Sequence, residues 1–139
     1  MIFREGREAD AAAIAQMEKD IFSDAWSDLQ VRSHLESGCG RTYVCEADGR
    51  IVGYLLGSLV PPEGEILRVA VLPEMRGRRF AEHLISLLTA ELSVCFLEVR
   101  EGNASARRLY ERLGFRPVGK RERYYKNPTE DACLYRLDT

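Results

Sequence analysis

A chain of 139 residues, 45% apolar and 30% charged, has the length and composition of one globular domain (1–139) with a core of its own. A formal charge of -2 gives no global field to draw nucleic acid or a membrane surface, and no apolar run approaches the ~20 residues of a membrane span. Cys39, Cys45, Cys95 and Cys133 form no C-x-x-C pair, and with two histidines they suit neither a disulfide framework nor a zinc site, so reduced thiols and no metal are expected. The first ten residues carry charge from Arg4 onward and lack an apolar h-region; a signal peptide is not expected, and the cytoplasm is the expected compartment.

In chain order, residues 2–4 read as a short strand and 8–21 as an amphipathic helix, with Ala11, Ile14, Met17 and Ile21 at helical spacing. Ser27 reads as the N-cap of a second helix through Leu29, Val31 and Leu35, ended by Gly38. The period then changes. Residues 42–46 and 51–60 are β-rich and joined at Asp48-Gly49, a strong hairpin signal, and 65–72 reads as a third strand closed by Pro73. Phe80, Leu84, Leu87, Leu88 and Leu92 set a long helix over 77–92. The near-continuous apolar run 94–99 is of the kind buried on both faces. A helix over 104–113 ends at Gly114, and strands over 115–125 and 133–137 follow. The order β-α-α-β-β-β-α-β-α-β-β predicts an α/β fold with a mixed sheet of about seven strands and about four helices.

Two stretches carry chemistry. Residues 71–81 (VLPEMRGRRFA) pass from strand to helix, and a helix start offers unpaired N–H groups and a partial positive charge to an anion. Gly77 and Ala81 let a phosphate approach the main chain, while Arg76, Arg78 and Arg79 add charged donors. An exposed basic turn with an incidental glycine is the plainer alternative. The second stretch is Leu97–Phe115. Glu98 lies toward the C-terminal end of its strand, where ligands of α/β sheets gather; partial burial would make it a better proton acceptor, and an ion pair with Arg100 is the structural alternative. Asn103 and Tyr110, seven apart, share one helix face; a helix cap and a core aromatic are their ordinary roles.

Residues 76–81 resemble the coenzyme motif [QR]-x-x-G-x-[GA] of the GNAT superfamily of N-acetyltransferases, with Arg76 first, Ala81 last, and Arg79 where the family has glycine. Leu97–Phe115 matches the family pattern L-E-V-R-x-x-N-x-x-A-x-x-L-Y-x-x-x-G-F at every fixed position. Three segments, Phe22–Ser27, Leu97–Phe115, and Arg123-Tyr124-Tyr125 with Glu130-Asp131-Ala132, are similar to the branch that acetylates the N-terminal alanine of ribosomal small-subunit protein eighteen. The resemblance implies acetyl-CoA as co-substrate, Glu98 as general base and Tyr110 as general acid. It implies that the main chain of Val69, Ala70 and Val71 and the side chain of Asn103 hold the pantetheine arm, and that the amides from Gly77 through Phe80 to Ala81 hold the pyrophosphate. A protein N-terminus would be the partner, with no nucleic acid or membrane involved. Trp26, Tyr124 and Tyr125 are candidates for the peptide groove, with simple packing the alternative. The basic run Lys120–Lys126 is a candidate for an acidic partner or a solvated hairpin face. A relative acting on lysine or a small amine would keep the coenzyme residues without the peptide groove; a non-catalytic acetyl-CoA-binding module would need neither Glu98 nor Tyr110.

Overall fold

A computed structural model describes residues 1–139. Strands β1 (Ile2–Glu5), β2 (Gly40–Ala47), β3 (Arg50–Val60), β4 (Glu63–Val71), β5 (Val94–Arg100), β6 (Arg116–Tyr125) and β7 (Glu130–Asp138) form one sheet in the order β1-β2-β3-β4-β5-β7-β6. Helices α1 (Ala11–Ile21) and α2 (Asp28–Glu36) cover one face, and α3 (Phe80–Thr89) and α4 (Ala104–Arg112) the other. Every neighbouring pair is antiparallel except β4–β5.

Strand alternation divides the core. Tyr43, Cys45 and Leu55 point to the α3–α4 side with Leu84, Leu88, Tyr110 and Phe115, whereas Val44, Tyr54 and Leu56 meet Ala11, Ile14, Met17 and Val31 under α1 and α2. The β2–β3 turn has Asp48 (φ 52°) and Gly49 (φ 75°) both left-handed, as a two-residue hairpin requires. Ser27 caps α2 through a reciprocal pair with Gln30 (3.1 and 2.8 Å).

Local expectations shift in three places. The helix expected over 77–92 begins at Phe80 and ends at Thr89, because Gly77 (φ 81°) and Arg79 (φ 62°) are left-handed and Leu92 tucks into the following turn. The second helix ends at Glu36, where Ser37 turns extended, one residue before Gly38. Strand β5 is not buried on both faces: Cys95, Leu97 and Val99 are buried, while Val94, Phe96, Glu98 and Arg100 are only half-buried. The cause is the reach of the α1–α2 layer, whose buried core draws on β2, β3 and β4 but on no residue of β5, β6 or β7.

The β4–β5 pairing covers only Glu63–Ile66 against Val94–Leu97. Beyond it the strands part. On its other side β4 passes from Ile66↔Gly57 to Arg68↔Leu56, which leaves Leu67 as an extra, bulged residue at the point of divergence. A bulge bends its strand, here away from β5. The edge of β4 from Leu67 to Val71 therefore faces a gap with its main chain unpaired on that side.

Under the α1–α2 connection lies a fully buried carboxylate, Glu18. It accepts from Tyr54 Oη (2.5 Å), Arg68 Nε (3.2 Å) and the main-chain N–H of Trp26 (3.0 Å). Arg68 also donates to Asp24, at its carbonyl (2.6 Å) and Oδ1 (3.0 Å), and its guanidinium stacks on Phe22 (4.3 Å). This network pins residues 22–26 over the sheet. Replacing Glu18 by alanine leaves a largely buried guanidinium and two further donors without their acceptor. Chemical denaturation is expected to register a loss of about 3–5 kcal/mol, and a loss below about 1 kcal/mol would contradict this account of the network.

Candidate active site

The gap between β4 and β5 opens into two cavities joined by a neck. The first, about 690 Å³, is walled by the free edge of β4 at Val69, Ala70 and Val71, by Arg76, Gly77, Arg79, Phe80 and Ala81 at the start of α3, and by Asn103 and Tyr110 of α4. The second, about 670 Å³, lies on the α1–α2 side and is walled by Trp26, Tyr124, Tyr125, Arg68, Glu65 and Glu98. A neck of about 140 Å³ shares residues with both, and Glu98, Asn103, Tyr110 and Tyr125 line it. Of the coenzyme, catalytic and peptide-groove candidates, Arg78 alone lines none of the three, and of the basic run Lys120–Lys126 the residues Lys120, Arg121 and Arg123 line none either.

The first cavity has what a phosphorylated, extended ligand requires. No side chain caps α3, so the amides of its first turn are open to an anion at the positive end of the helix. Arg76 turns back to donate Nε–H to the carbonyl of Val71 (3.2 Å), tying the turn to the end of β4. Arg79 occupies the left-handed conformation (φ 62°) at the motif position where glycine is usual. The backbone thus keeps a shape that glycine favours, at a cost of about 1–2 kcal/mol for a residue with a Cβ. The unpaired β4 edge offers main-chain donors and acceptors to an amide-bearing arm, in the manner of an added strand. Asn103 caps α4, its Oδ1 accepting from Ala106 N–H (3.2 Å), which leaves its amide nitrogen free toward the cavity.

The neck carries the titratable groups. Tyr110 is 7% exposed, packs edge-on against Phe115, and has its phenol pushed well above the ordinary range by burial first and by the nearby Tyr125 and Cys95 second. Glu98, with its side chain 22% exposed, has one ion-pair contact, to Arg121 Nε at 3.4 Å. The partner foreseen for it, Arg100, instead reaches over to the β6–β7 turn, where it meets Glu130 (3.4 Å) and the carbonyls of Lys126 and Pro128 (both 3.0 Å) and stacks on Tyr125 (4.5 Å). The Glu98 carboxylate beside it raises the Tyr124 phenol, and burial, with Glu98 adding, pushes Tyr125 up to about 12.

Trp26 both packs, edge-on against His34 (5.5 Å), and lines the second cavity. The basic hairpin partly satisfies itself within the chain, through Lys120 with Glu101 (2.5 Å) and Arg121 with Glu98. Glu65, Arg68 and Glu18 were not legible as site residues. Glu65 and Arg68 are two charged positions three apart in one strand, which a regular strand would put on opposite faces, and Glu18 is a lone carboxylate on the helix face that carries Ala11, Ile14 and Ile21. Only the α1–α2 layer folding onto β4 brings them together.

Comparison with known proteins agrees with this architecture. The sequence pattern of the acetyltransferase (GNAT) family matches residues 11–115. An uncharacterized N-acetyltransferase of Methanocaldococcus jannaschii is 34% identical over 96% of this chain and 89% of its own length. The N-alpha-acetyltransferase RimI of Mycobacterium tuberculosis is 34% identical over 94% of this chain and 88% of its own. Among solved structures, the ribosomal-protein-S18-alanine N-acetyltransferase of Escherichia coli has the same fold, with a TM-score of 0.90 at 24% identity over 99% of this chain and 92% of that one. So does Arabidopsis thaliana NAA60 in complex with acetyl-CoA, with a TM-score of 0.89 at 20% identity over 99% of each chain.

Arg79 yields a test of the turn's geometry. Arg79→Gly removes the left-handed penalty of about 1–2 kcal/mol while adding about 0.4–1 kcal/mol of unfolded-state entropy. The variant is expected to melt at or slightly above the wild-type temperature. A clear drop would mean that the Arg79 side chain, rather than the backbone shape, holds the turn.

Proposed function

The chain belongs to the GNAT family of acetyltransferases and is an acyltransferase, and from that premise we propose that it transfers the acetyl group of acetyl-CoA to the α-amine of a protein N-terminus, with the N-terminal alanine of ribosomal protein bS18 as the first candidate. The observation that carries this reading is the neck: a glutamate and a buried tyrosine stand where a phosphate-and-amide cavity meets an aromatic, acidic one.

In the first cavity, the β4 edge at Val69–Val71 and the Asn103 amide orient the pantetheine arm, and the first-turn amides of α3 with Arg76 and Arg79 receive the pyrophosphate. In the second, Trp26, Tyr124 and Tyr125 flank the substrate's first residues. Glu98 takes a proton from the attacking amine, directly or through one water, and the neutral nitrogen attacks the thioester carbonyl. As the C–S bond breaks, Tyr110 delivers its phenolic proton to the departing sulfur, and the nitrogen, cationic once it has attacked, releases its second proton to restore the phenol. A phenol raised by burial stays protonated at neutral pH, which is the state a general acid needs. No step calls on a cysteine or a metal.

The chemistry of the amine favours an N-terminus over a lysine. An α-amino group titrates at about 7.7–8.0 and a lysine at about 10.4, so freeing the lysine nitrogen at neutral pH costs roughly 3 kcal/mol more. A carboxylate base in a half-open cavity suits the easier proton. The names of relatives across nearly the full chain support the same substrate class.

The test is acetyl-CoA turnover on two peptides, one beginning with the bS18 N-terminal sequence and one carrying lysine behind a blocked N-terminus. Activity is expected on the first alone. Glu98→Gln and Tyr110→Phe should each lower kcat about 10²–10⁴-fold, the usual range for removing a general base or acid, with acetyl-CoA binding retained. Turnover of the blocked peptide would move the assignment to lysine. Tight acetyl-CoA binding without turnover of either peptide would leave a binding module.

A further inference from the structure

Glu65 has no part in the mechanism above, yet it lines the second cavity together with Glu98, Trp26 and Tyr124. It sits on β4 opposite Phe96 of β5, one residue before the strands part. Paired residues of neighbouring strands share a face, and side chains two apart on one strand do as well, so Glu65, Phe96 and Glu98 stand on the same side of the sheet. That is the face left uncovered where the α1–α2 layer stops.

The environment of Glu65 is unusual for a carboxylate. It is half-buried, and it enters none of the chain's ion pairs. The nearby guanidinium, Arg121, is engaged with Glu98 at 3.4 Å and stacks on Tyr124. The one arginine that lines the cavity, Arg68, is held by Glu18 and Asp24. Burial and the neighbouring Glu98 charge both raise Glu65 above the usual carboxylate range, and Arg121 only partly opposes them. A partly desolvated carboxylate without a cation is left to water and the cavity, and Glu18 shows the contrast: fully buried, it is met by three donors. Glu65 lacks a cation, and it faces the cavity into which an amine substrate would enter.

We infer that Glu65 is the acceptor that docks the substrate's α-ammonium in the second cavity, holding the nitrogen beside Glu98 before its proton is taken. This rests on the N-terminal reading above. It assigns Glu65 to binding and leaves proton removal to Glu98. The substrate is thereby selected for a free, positively charged amine at its first residue, and the acetylated product, a neutral amide, loses this contact and is released more readily.

The product supplies the discriminating control. Steady-state kinetics of Glu65→Gln, which keeps the side chain's shape without its charge, are compared with wild type on the bS18 N-terminal peptide, with the pre-acetylated peptide as inhibitor. The expected result is a rise of about 10–100-fold in peptide KM, the scale of a lost hydrogen bond to a charged group. The acetyl-CoA KM, kcat at saturating peptide and the inhibition constant of the acetylated peptide should stay within about twofold of wild type. An unchanged peptide KM overturns the inference. So does an equal weakening of substrate and acetylated product, because Glu65 would then only shape the cavity. Failure of the N-terminal reading shows separately, as wild type that leaves this peptide unmodified, and the Glu65 assignment falls with it.

Discussion

The parting of β4 from β5 is the constraint on which the rest of the molecule depends. Two parallel strands that stayed paired would close the sheet and satisfy each other's main chain. Here the pairing stops at Ile66↔Leu97, and the extra residue Leu67 bends β4 at that point. One event leaves a strand edge with free amides and carbonyls, opens a passage through the sheet, and exposes Glu98 on one side of it. Helix α4, which follows β5 after a short turn capped by Asn103, brings Tyr110 to the other side. The α1–α2 layer then walls the passage on the opposite face of the sheet through residues 22–26, pinned by the Glu18–Arg68 network.

Three carboxylates in this region show how environment separates architecture from chemistry. Glu18 is buried and met by a phenol, a guanidinium and a main-chain amide, so its charge is spent on holding a loop. Glu98 has a single, longer ion pair, lies against the Tyr124 phenol and opens onto the neck, where it can meet a reacting group. Glu65 has no ion pair and faces the acidic cavity. The residue type is the same, and the number of donors supplied by the fold decides what each can do.

Features written in adjacent residues were legible before the structure. The Asp48-Gly49 hairpin, the Ser27–Gln30 cap, the Gly114 stop (φ 100°) and the order of strands and helices follow from turn chemistry and periodicity. The resemblance carried by residues 97–115 pointed to Glu98, Asn103 and Tyr110, which do line one neck. What failed was set by tertiary context. An arginine in the left-handed region at 79 delays the start of α3 against its propensity. The half-open face of β5 reflects how far a different layer reaches. Arg121 rather than Arg100 meets Glu98, because Arg100 is held at the β6–β7 turn by Glu130 and the carbonyls of Lys126 and Pro128. The pairing of Glu18 with Arg68, fifty residues apart, has no local signal at all.

The measurement that tests the central claim most directly is a crystal structure with acetyl-CoA bound. The account predicts a pantetheine arm along the unpaired edge of β4 at Val69–Val71, a pyrophosphate on the amides at the start of α3, and the thioester in the neck between Glu98 and Tyr110. A coenzyme bound outside the β4–β5 gap, or one whose thioester lies away from that neck, would contradict it.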